Sequence, residues 1–329
     1  MVGITSSISS GSGIPVVDLS PFLAAAAEDE NMAVEKKKAM EAVKEACSEY
    51  GLFQIVNHGV PTALIDRALQ LSADFFDLPD DEKRKFTSNP AGGAALPSGY
   101  NSRPLHSPEK NEFLLMFNPS SPFNVYPTNP PHLREVMEEV FVWLSKTGWL
   151  MEGIINDCLG LPTGFLQQFN SDRKGDFMSV RRYFPAAEDE DRGLTPHQDG
   201  NSVTFILQDD AGGLEVLRNG VWIPATPTPG SIIVNIGDMI QVLSNNKFKS
   251  SMHRVVRPKG RSRYSFAFFY CLPAEKWVEP LPEFTEKVGE LPKYRKFQFG
   301  EYTQLRKRDV IDPPQRPEDS IGITHYSIN

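Results

Sequence analysis

Short apolar runs separated by turn-forming pairs fill the chain between Phe177 and Pro273. Gly212-Gly213, Asn219-Gly220 and Pro229-Gly230 lie between these runs, and glycine and asparagine supply the backbone conformations that tight turns require. Closely spaced strands of this kind are typical of an all-β barrel or jelly roll and argue against alternating βαβ units. The predicted strands are Met178–Phe184, Ser202–Gln208, Leu214–Leu217, Val221–Ile223, Ser231–Ile236, Met252–Arg257 and Tyr264–Tyr270.

The rest of the chain has more helical character. Apolar residues recur at helical spacing between Ala33 and Tyr50, and Gly51 stands where a helix stop belongs. We predict helices over Ala33–Tyr50, Pro61–Phe76, Pro79–Arg84, Pro131–Leu159, Gly164–Phe169 and Phe297–Arg308, further strands at Ile14–Leu19, Leu52–Val60 and Asn111–Phe117, and a loop over Ala91–Ser102. The predicted fold class is mainly β with flanking helices: a jelly-roll core between a helical N-terminal region and a C-terminal helix.

These patterns divide the chain into consecutive parts. Residues 1–13 are predicted to be a flexible tail, and residues 14–125 an N-terminal region of helices and strands. Residues 126–172 contain a long helix and a connector, and residues 173–275 contain the jelly-roll core. Residues 276–329 are predicted to carry the C-terminal helix and a proline-rich, polar tail from Pro313 that is extended along the surface or mobile.

Three residues have the chemistry of a metal site. His197 and Asp199 stand two apart, so in an extended strand both side chains point to the same face. His253, far downstream, would complete a set of two imidazoles and one carboxylate. This is the facial triad of non-haem Fe(II) oxygenases, which leaves coordination positions open for substrate and oxygen. A His-x-Asp pair alone is more often a surface strand or a turn.

His58 is a further histidine whose role must be assigned. It lies in the predicted buried strand Leu52–Val60, where a histidine is more often a hydrogen-bonded core residue than a metal ligand. We therefore predict a structural role for His58.

The order of the motifs along the chain favours the interpretation of His197, Asp199 and His253 as metal ligands. Behind His197-x-Asp199 comes a long β-rich stretch, then His253, and then Arg263-x-Ser265. In this order the chain closely resembles the plant-type 2-oxoglutarate and Fe(II)-dependent dioxygenases, the family of flavonol synthase, anthocyanidin synthase and the gibberellin oxidases. The resemblance extends from about Ile14 to about Arg308. It implies a double-stranded β-helix with iron at one mouth, Fe(II) as metal, 2-oxoglutarate and O2 as co-substrates, and ascorbate as a supporting reductant.

A co-substrate site is expected at Arg263 and Ser265. An arginine suits the distal carboxylate of a dicarboxylic co-substrate because its paired donors are permanently charged, and Ser265 lies on the same strand face. By resemblance this ligand is 2-oxoglutarate. Many relatives carry Asn-Tyr-Tyr-Pro on an earlier strand, where this chain has Arg182-Tyr183-Phe184-Pro185. In an ungapped alignment Arg182 replaces the asparagine, Phe184 lacks the second hydroxyl, and Tyr183 is the predicted substitute.

Three apolar residues are the predicted substrate contacts. Phe113 and Leu115 alternate on one strand, which lines the substrate pocket in the resembling family, and Phe269 resembles a pocket aromatic of flavonoid-oxidising members. As bare residues all three are more often core. The resemblance implies hydroxylation or desaturation of a small ring-containing metabolite, with a flavonoid ahead of a gibberellin or another hormone. Asp199 is present, whereas related halogenases vacate that position.

Two alternatives remain open at this point. Some members of the same superfamily are Fe(II) oxidases that dispense with 2-oxoglutarate, and the Arg263-x-Ser265 pair does not exclude all of them. The second alternative is that the barrel is an inactive ligand-binding module. An intact set of His197, Asp199 and His253 argues against the second alternative, because a pure binder has no need of these three side chains together.

Composition limits the partners. A formal charge of −8 with no basic stripe argues against nucleic acid, so we expect a small-molecule substrate. Three scattered cysteines indicate a reducing compartment rather than a disulfide framework. The first residues lack the pattern of a signal peptide, and no apolar run approaches the roughly 18 residues of a membrane span. The cytosol is therefore the expected location, with no membrane contact and no obligate protein partner.

Overall fold

The computed structural model describes residues 13–23, 30–87, 96–103, 107–188, 190–311 and 321–328. Its helices are α1 (Ser20–Leu23), α2 (Glu30–Glu49), α3 (Thr62–Phe76), α4 (Asp80–Arg84), α5 (Leu133–Cys158), α6 (Phe165–Phe169), α7 (Asp238–Leu243) and α8 (Phe299–Ile311). Its strands are β1 (Val16–Asp18), β2 (Leu52–Val56), β3 (Gly99–Ser102), β4 (Asn111–Phe117), β5 (Phe177–Tyr183), β6 (Arg192–His197), β7 (Val203–Gln208), β8 (Leu214–Arg218), β9 (Val221–Pro224), β10 (Ile232–Ile236), β11 (His253–Val256), β12 (Arg263–Tyr270), β13 (Trp277–Val278) and β14 (Phe297–Gln298).

Two sheets form the core of the molecule. The larger has the strand order β1-β2-β10-β7-β12-β5-β4-β3, and the smaller has the order β6-β11-β8-β9. Within both sheets the pairing is antiparallel, apart from β1 with β2. Neighbours along the sequence are often not neighbours in a sheet, which is the crossover pattern of a jelly roll. The predicted fold class, mainly β with a jelly-roll core and flanking helices, is confirmed.

The outer face of the larger sheet packs on helix α5. Phe141 of this helix meets Phe268 of β12 edge to face, with ring centroids 4.9 Å apart. Burial of one such aromatic side chain contributes about 1.5–3 kcal/mol. Gly148 permits the close approach, because a Cβ there would lie 2.5 Å from the ring of Tyr270. The long predicted helix is therefore structural, and its apolar stripe holds the sheet from outside.

The inner face of the larger sheet faces the smaller sheet across a second, smaller apolar cluster. Tyr183, Ile206 and Ile233 of the larger sheet pack there with Val216 and Val255 of the smaller one. Directly opposed residues on neighbouring antiparallel strands share a face of the sheet. Once one side chain is known to point inward, the strand register therefore identifies the other inward side chains. The candidate functional residues lie on this inner face.

Most predicted elements are confirmed within two or three residues. The helices predicted from Ala33, Pro61, Pro79, Pro131 and Gly164 correspond to α2, α3, α4, α5 and α6. His58 is buried and hydrogen-bonded as predicted: the Val60 amide donates to Nδ1 at 3.2 Å, and Nε2 donates to the Gly230 carbonyl at 2.8 Å. None of the helices in the described ranges is long and apolar enough to cross a membrane.

Four expectations are corrected. The predicted loop Ala91–Ser102 ends in a strand, β3, because Gly99 and its neighbours pair with β4; residues 91–95 lie outside the described ranges. Strand β6 and the short helix α7 were missed, because both are short and without clear periodicity. Asp199 follows β6 instead of lying within it.

The C-terminal segment is the fourth correction. Residues 1–12 and 312–320 lie outside the described ranges, but residues 321–328 are described and pack against the rest of the protein. Tyr326 is only 3% exposed, and its ring stacks on Phe297 with centroids 4.1 Å apart. Aromatic burial therefore anchors a segment whose polar composition predicted an extended or mobile chain.

Candidate active site

The predicted metal ligands meet between the two sheets. Strands β6 and β11 pair so that His197 and His253 lie directly opposite each other, with ring centroids 4.2 Å apart. Asp199, just beyond the end of β6, places Oδ1 3.8 Å from Nε2 of each histidine. One donor atom from each residue lies within 4.8 Å of the others. The structure thus brings all three predicted ligands together.

Backbone carbonyls orient both imidazoles. Nδ1 of His197 lies 2.8 Å from the Thr195 carbonyl, and Nδ1 of His253 lies 3.0 Å from the Ser251 carbonyl. Because a carbonyl only accepts, each Nδ1 carries the proton and each Nε2 presents an unprotonated lone pair. This arrangement of the outer ring nitrogen is the usual support of a metal-binding histidine.

Asn235 orients the carboxylate. Its Nδ2 donates to Asp199 Oδ2 at 3.1 Å and lies 3.4 Å from His253 Nε2. Asn235 reaches the site from β10 of the larger sheet, so both sheets contribute to one cluster. No feature of the sequence near Asn235 indicated this contact.

The protonation states suit a cation. Burial, and then His253, lowers the pKa of His197, so this ring is neutral at pH 7. Burial opposes ionisation of Asp199, but the two histidines and Asn235 outweigh it and leave its pKa below the ordinary value. Two imidazoles and one carboxylate form a donor set that fits Fe(II) and leaves coordination positions open. The side chain of His197 is 29% exposed and that of Asp199 is 5% exposed, so the opening lies on the His197 side.

The C-terminal helix closes one side of this cluster. Arg306 of α8 donates through one terminal nitrogen to the Gln198 carbonyl at 2.6 Å, between the first two candidate ligands. Its other terminal nitrogen donates to Asp238 Oδ2 at 3.0 Å, and the Asp238 amide donates to the Asp199 carbonyl at 2.8 Å. The predicted C-terminal helix therefore contacts the ligand loop directly. The sequence signal was only the basic end of the helix.

Arg263 is a buried cation with neutral partners. It is 1% exposed, and its guanidinium donates to the Gly212 carbonyl at 2.6 Å, to Ser265 Oγ at 3.1 Å and to Gln208 Oε1 at 2.9 Å. A buried charge is costly unless an opposite charge compensates it. The site therefore fits an anionic ligand, and a dicarboxylic acid is the ligand that the sequence predicted.

Tyr183 lies beside Arg263. The two residues are directly opposed on β5 and β12, and the guanidinium carbon lies 4.9 Å from the centre of the tyrosine ring. Arg182 does not replace the asparagine of the resembling motif, because it points to the outer face and pairs with Asp77 at 2.8 Å and Glu112 at 2.7 Å. Arg181 faces inward instead. Strand alternation counted back from Tyr183 would have identified it.

The predicted substrate contacts lie on the same inner face. Phe113 and Leu115 are opposed to Arg181 and Ser179 in the register of β4 with β5. Leu115 is buried, and Phe113 is partly exposed with the Arg181 guanidinium 4.7 Å from its ring centre. Phe269 stacks on Phe177 with centroids 4.4 Å apart. These residues form an apolar floor beside the two polar clusters.

Comparison with known proteins agrees with this geometry. A family model described as the 2OG-Fe(II) oxygenase superfamily matches residues 175–272, and one described as the non-haem dioxygenase in morphine synthesis N-terminal region matches residues 14–129. Flavonol synthase/flavanone 3-hydroxylase of Arabidopsis thaliana is 33% identical over 88% of this chain and 84% of the relative. Gibberellin 20 oxidase 5 of the same plant is 32% identical over 89% and 76%. A solved structure of JOX2 in complex with 2OG, Fe and JA is 31% identical, covers 89% of this chain and 84% of its own, and has a TM-score of 0.75.

Proposed function

The chain belongs to the 2OG-Fe(II) oxygenase superfamily, and from this premise we propose that it hydroxylates or desaturates a small, largely apolar, ring-containing metabolite. Its cofactors are those of the family, Fe(II) and 2-oxoglutarate, and it is a dioxygenase. Relatives named for flavonoids and gibberellins support the substrate class. The proposal depends most on one observation: two free imidazole nitrogens and one carboxylate converge between the sheets.

His197, Asp199 and His253 are the proposed iron ligands. Their orientation is set before metal binds, because Thr195, Ser251 and Asn235 fix both rings and the carboxylate. Bound there, Fe(II) with 2-oxoglutarate and O2 supplies the oxidising power to break an unactivated C–H bond, while 2-oxoglutarate becomes succinate and carbon dioxide. The protein contributes positioning and exclusion of water.

Arg263, Ser265 and Tyr183 are the proposed partners of the distal carboxylate of 2-oxoglutarate. Arg263 supplies the compensating charge, and Ser265 Oγ accepts from Arg263, so its own proton is available to the ligand. The ring of Tyr183 covers the guanidinium and keeps solvent from it. A buried arginine whose partners in the described part of the chain are all neutral favours use of a dicarboxylic co-substrate over the alternative of an oxidase independent of 2-oxoglutarate.

Phe113, Leu115 and Phe269 are the proposed substrate contacts. They share the inner face with the co-substrate residues, and their apolar surface suits a ring or a hydrocarbon body. Such a surface positions the reacting carbon and excludes bulk water while the reaction proceeds.

Succinate release is the decisive assay. The purified protein is supplied with Fe(II), ascorbate and 2-oxoglutarate and screened against a flavanone, a gibberellin, jasmonic acid and indole-3-acetic acid. Stimulation by one compound establishes both the reaction class and the substrate. Turnover without 2-oxoglutarate would support the independent oxidase. Silence with iron and 2-oxoglutarate bound would reject the substrate class, and silence without binding would support an inactive binding module.

Asp199→Ala tests the metal assignment in the same assay. We expect loss of Fe(II) binding and of turnover, because the carboxylate supplies the only negative charge among the three ligands. Asp210→Ala is the matched control, since the side chain of Asp210 is 85% exposed and outside the site. Full activity in Asp199→Ala would show that the metal is held elsewhere.

A further inference from the structure

Arg181 lies on the inner face beside the proposed co-substrate site. In the sheet register it is opposed to Ser265 on one side and to Phe113 on the other. Its side chain turns toward β4: one terminal nitrogen donates to Asn111 Oδ1 at 3.1 Å, and the guanidinium stacks 4.7 Å from the Phe113 ring centre. Arg181 therefore points away from Arg263 and toward the proposed substrate surface.

The partners of Arg181 among the described residues are neutral. An amide oxygen and an aromatic ring leave most of its donors unused, since a guanidinium has five N–H groups. Its chain neighbour Arg182 is different, because two carboxylates compensate it within 2.8 Å. The contrast shows that the fold pairs the outward arginine and leaves the inward one without a carboxylate partner in the described part of the chain.

The surrounding charges compensate Arg181 only in part. Glu109 is the nearby carboxylate, but its Oε2 pairs with Arg103 at 2.9 Å and its Oε1 accepts from the amide and hydroxyl of Thr195. Two guanidiniums thus share one carboxylate, and this group carries a net charge of +1. Burial, and to a smaller extent Arg103, lowers the pKa of Arg181, and the opposing effects of Tyr183 and Glu109 do not outweigh them.

An apolar surface and one free hydroxyl complete the site. Ser179 lies one step along β5 from Arg181 on the same face, and its buried Oγ has no hydrogen-bond partner in the described ranges. Beyond it come Leu115 and the stacked rings of Phe177 and Phe269. A ligand that fits this surface has an anionic group at one end and an apolar body that extends along the strand.

We propose that Arg181 binds a carboxylate of the oxidised substrate, so that the substrate is an apolar carboxylic acid and not a neutral flavonoid. This inference rests on the proposed function and narrows its substrate class. Phe113 holds the guanidinium through a cation–π contact, and Asn111 fixes its direction, which leaves the remaining donors for the carboxylate. Arg181 is thus a specificity residue, distinct from the Arg263 that faces the co-substrate.

Matched acids and methyl esters test the proposal. Indole-3-acetic acid, jasmonic acid and a gibberellin are each compared with their methyl esters, with naringenin as a neutral flavanone, in thermal-shift and succinate assays on the full chain with Fe(II) and 2-oxoglutarate. We expect at least one acid to stabilise the protein and its ester to bind at least about 30-fold more weakly, the scale for a lost buried charge pair. Arg181→Gln should remove this preference, and Arg181→Lys should restore part of it.

The controls separate this inference from the proposed function. Arg261→Gln replaces a side chain that is 52% exposed, and it should change the binding of neither the acid nor 2-oxoglutarate. The KM for 2-oxoglutarate should stay within about threefold in Arg181→Gln, because that variant removes a substrate contact. Four results would each overturn the carboxylate role. Two concern the wild-type ligands: acids and esters bind equally, or no acid gives a thermal shift that its ester lacks. The other two are turnover of naringenin alone, and a variant Arg181→Gln that raises the KM for 2-oxoglutarate but leaves binding of the acid unchanged. Absence of stimulated succinate with an acid-specific thermal shift would overturn the proposed reaction and leave the carboxylate site standing.

Discussion

Replacement of Arg263 by glutamine should weaken 2-oxoglutarate binding more than any other change on strand β12. The guanidinium has five N–H donors, and the hydrogen bonds to Gly212, Ser265 and Gln208 occupy three of them. Two donors therefore remain, one on each terminal nitrogen. These form the fork that binds a carboxylate in a bidentate manner.

The expected loss follows from this count. A hydrogen bond to a charged group contributes about 1.5–3 kcal/mol, and two that act on one carboxylate contribute less than twice that amount because they are not independent. We expect a loss of about 2–4 kcal/mol, which is a roughly 30- to 700-fold rise in the Kd for 2-oxoglutarate. Ser265→Ala removes one hydroxyl donor and should cost about 1.5 kcal/mol, or roughly tenfold.

Calorimetric titration of 2-oxoglutarate into anaerobic, Fe(II)-loaded protein measures both effects. Arg263→Gln also loses a bond to the Gly212 carbonyl, so a control must share that structural cost. Arg257→Gln provides it, because Arg257 is 5% exposed and its acceptors among the described residues are all backbone carbonyls, including those of Pro185 and Glu190. It should lose stability in urea and keep the Kd for 2-oxoglutarate. A Kd in Arg263→Gln within about threefold of the wild-type value would refute the assigned role.

Two further predictions concern stability. Burial raises the pKa of Glu152 from 4.5 to about 7. Between these pH values the folded protein holds a proton that the unfolded chain releases. The free energy of unfolding should therefore fall by at most about 3 kcal/mol as the pH rises through this window. Glu152→Gln keeps an uncharged partner for Asn170 and Tyr270. In urea unfolding at pH 5 and pH 8, this variant should show a smaller pH dependence of the free energy of unfolding than the wild type. An unchanged pH dependence would assign the effect to other groups. Arg306→Met leaves the fully buried Asp238 without its cation, so it should lower the free energy of unfolding by about 2–3 kcal/mol. It should also weaken Fe(II) binding, because Arg306 donates to the Gln198 carbonyl between two ligands. Unaltered iron affinity would show that α8 does not support the ligand loop.

The sequence predicts best where a local signal and a long-range signal coincide. Helix α5 follows from its apolar spacing, and β12 from alternation between turns, so both were placed within a few residues. His197 and Asp199 are two residues apart in sequence, and their ligand chemistry is visible in the residue types. His253 needed the strand pairing of β6 with β11, which the order of motifs suggested and only the three-dimensional structure supplies.

Contacts that depend on tertiary packing were beyond the sequence. Asn235 is one amide in a buried strand, and nothing nearby marks it as the partner of Asp199. Arg306 reaches the Gln198 carbonyl from a helix more than a hundred residues later. The sequence gives the helix its basic end, but the angle at which α8 docks decides whether that charge meets solvent or the ligand loop. Such an angle results from the packing of many side chains and has no local signature.

Arg181 and Arg182 show how a single step of register changes a functional interpretation. Aligned without a gap to the family motif, Arg182 occupies the asparagine position, yet the side-chain period of a strand is two, so a slip of one residue exchanges the two faces. The pairing of Tyr183 with Arg263 fixes the phase: position 183 faces inward, and therefore 181 does and 182 does not. This phase places a second arginine, partly buried, near the substrate surface. Because desolvation of a cation that has no carboxylate partner among the described residues lowers stability, its presence there is best explained by a substrate that brings the negative charge with it.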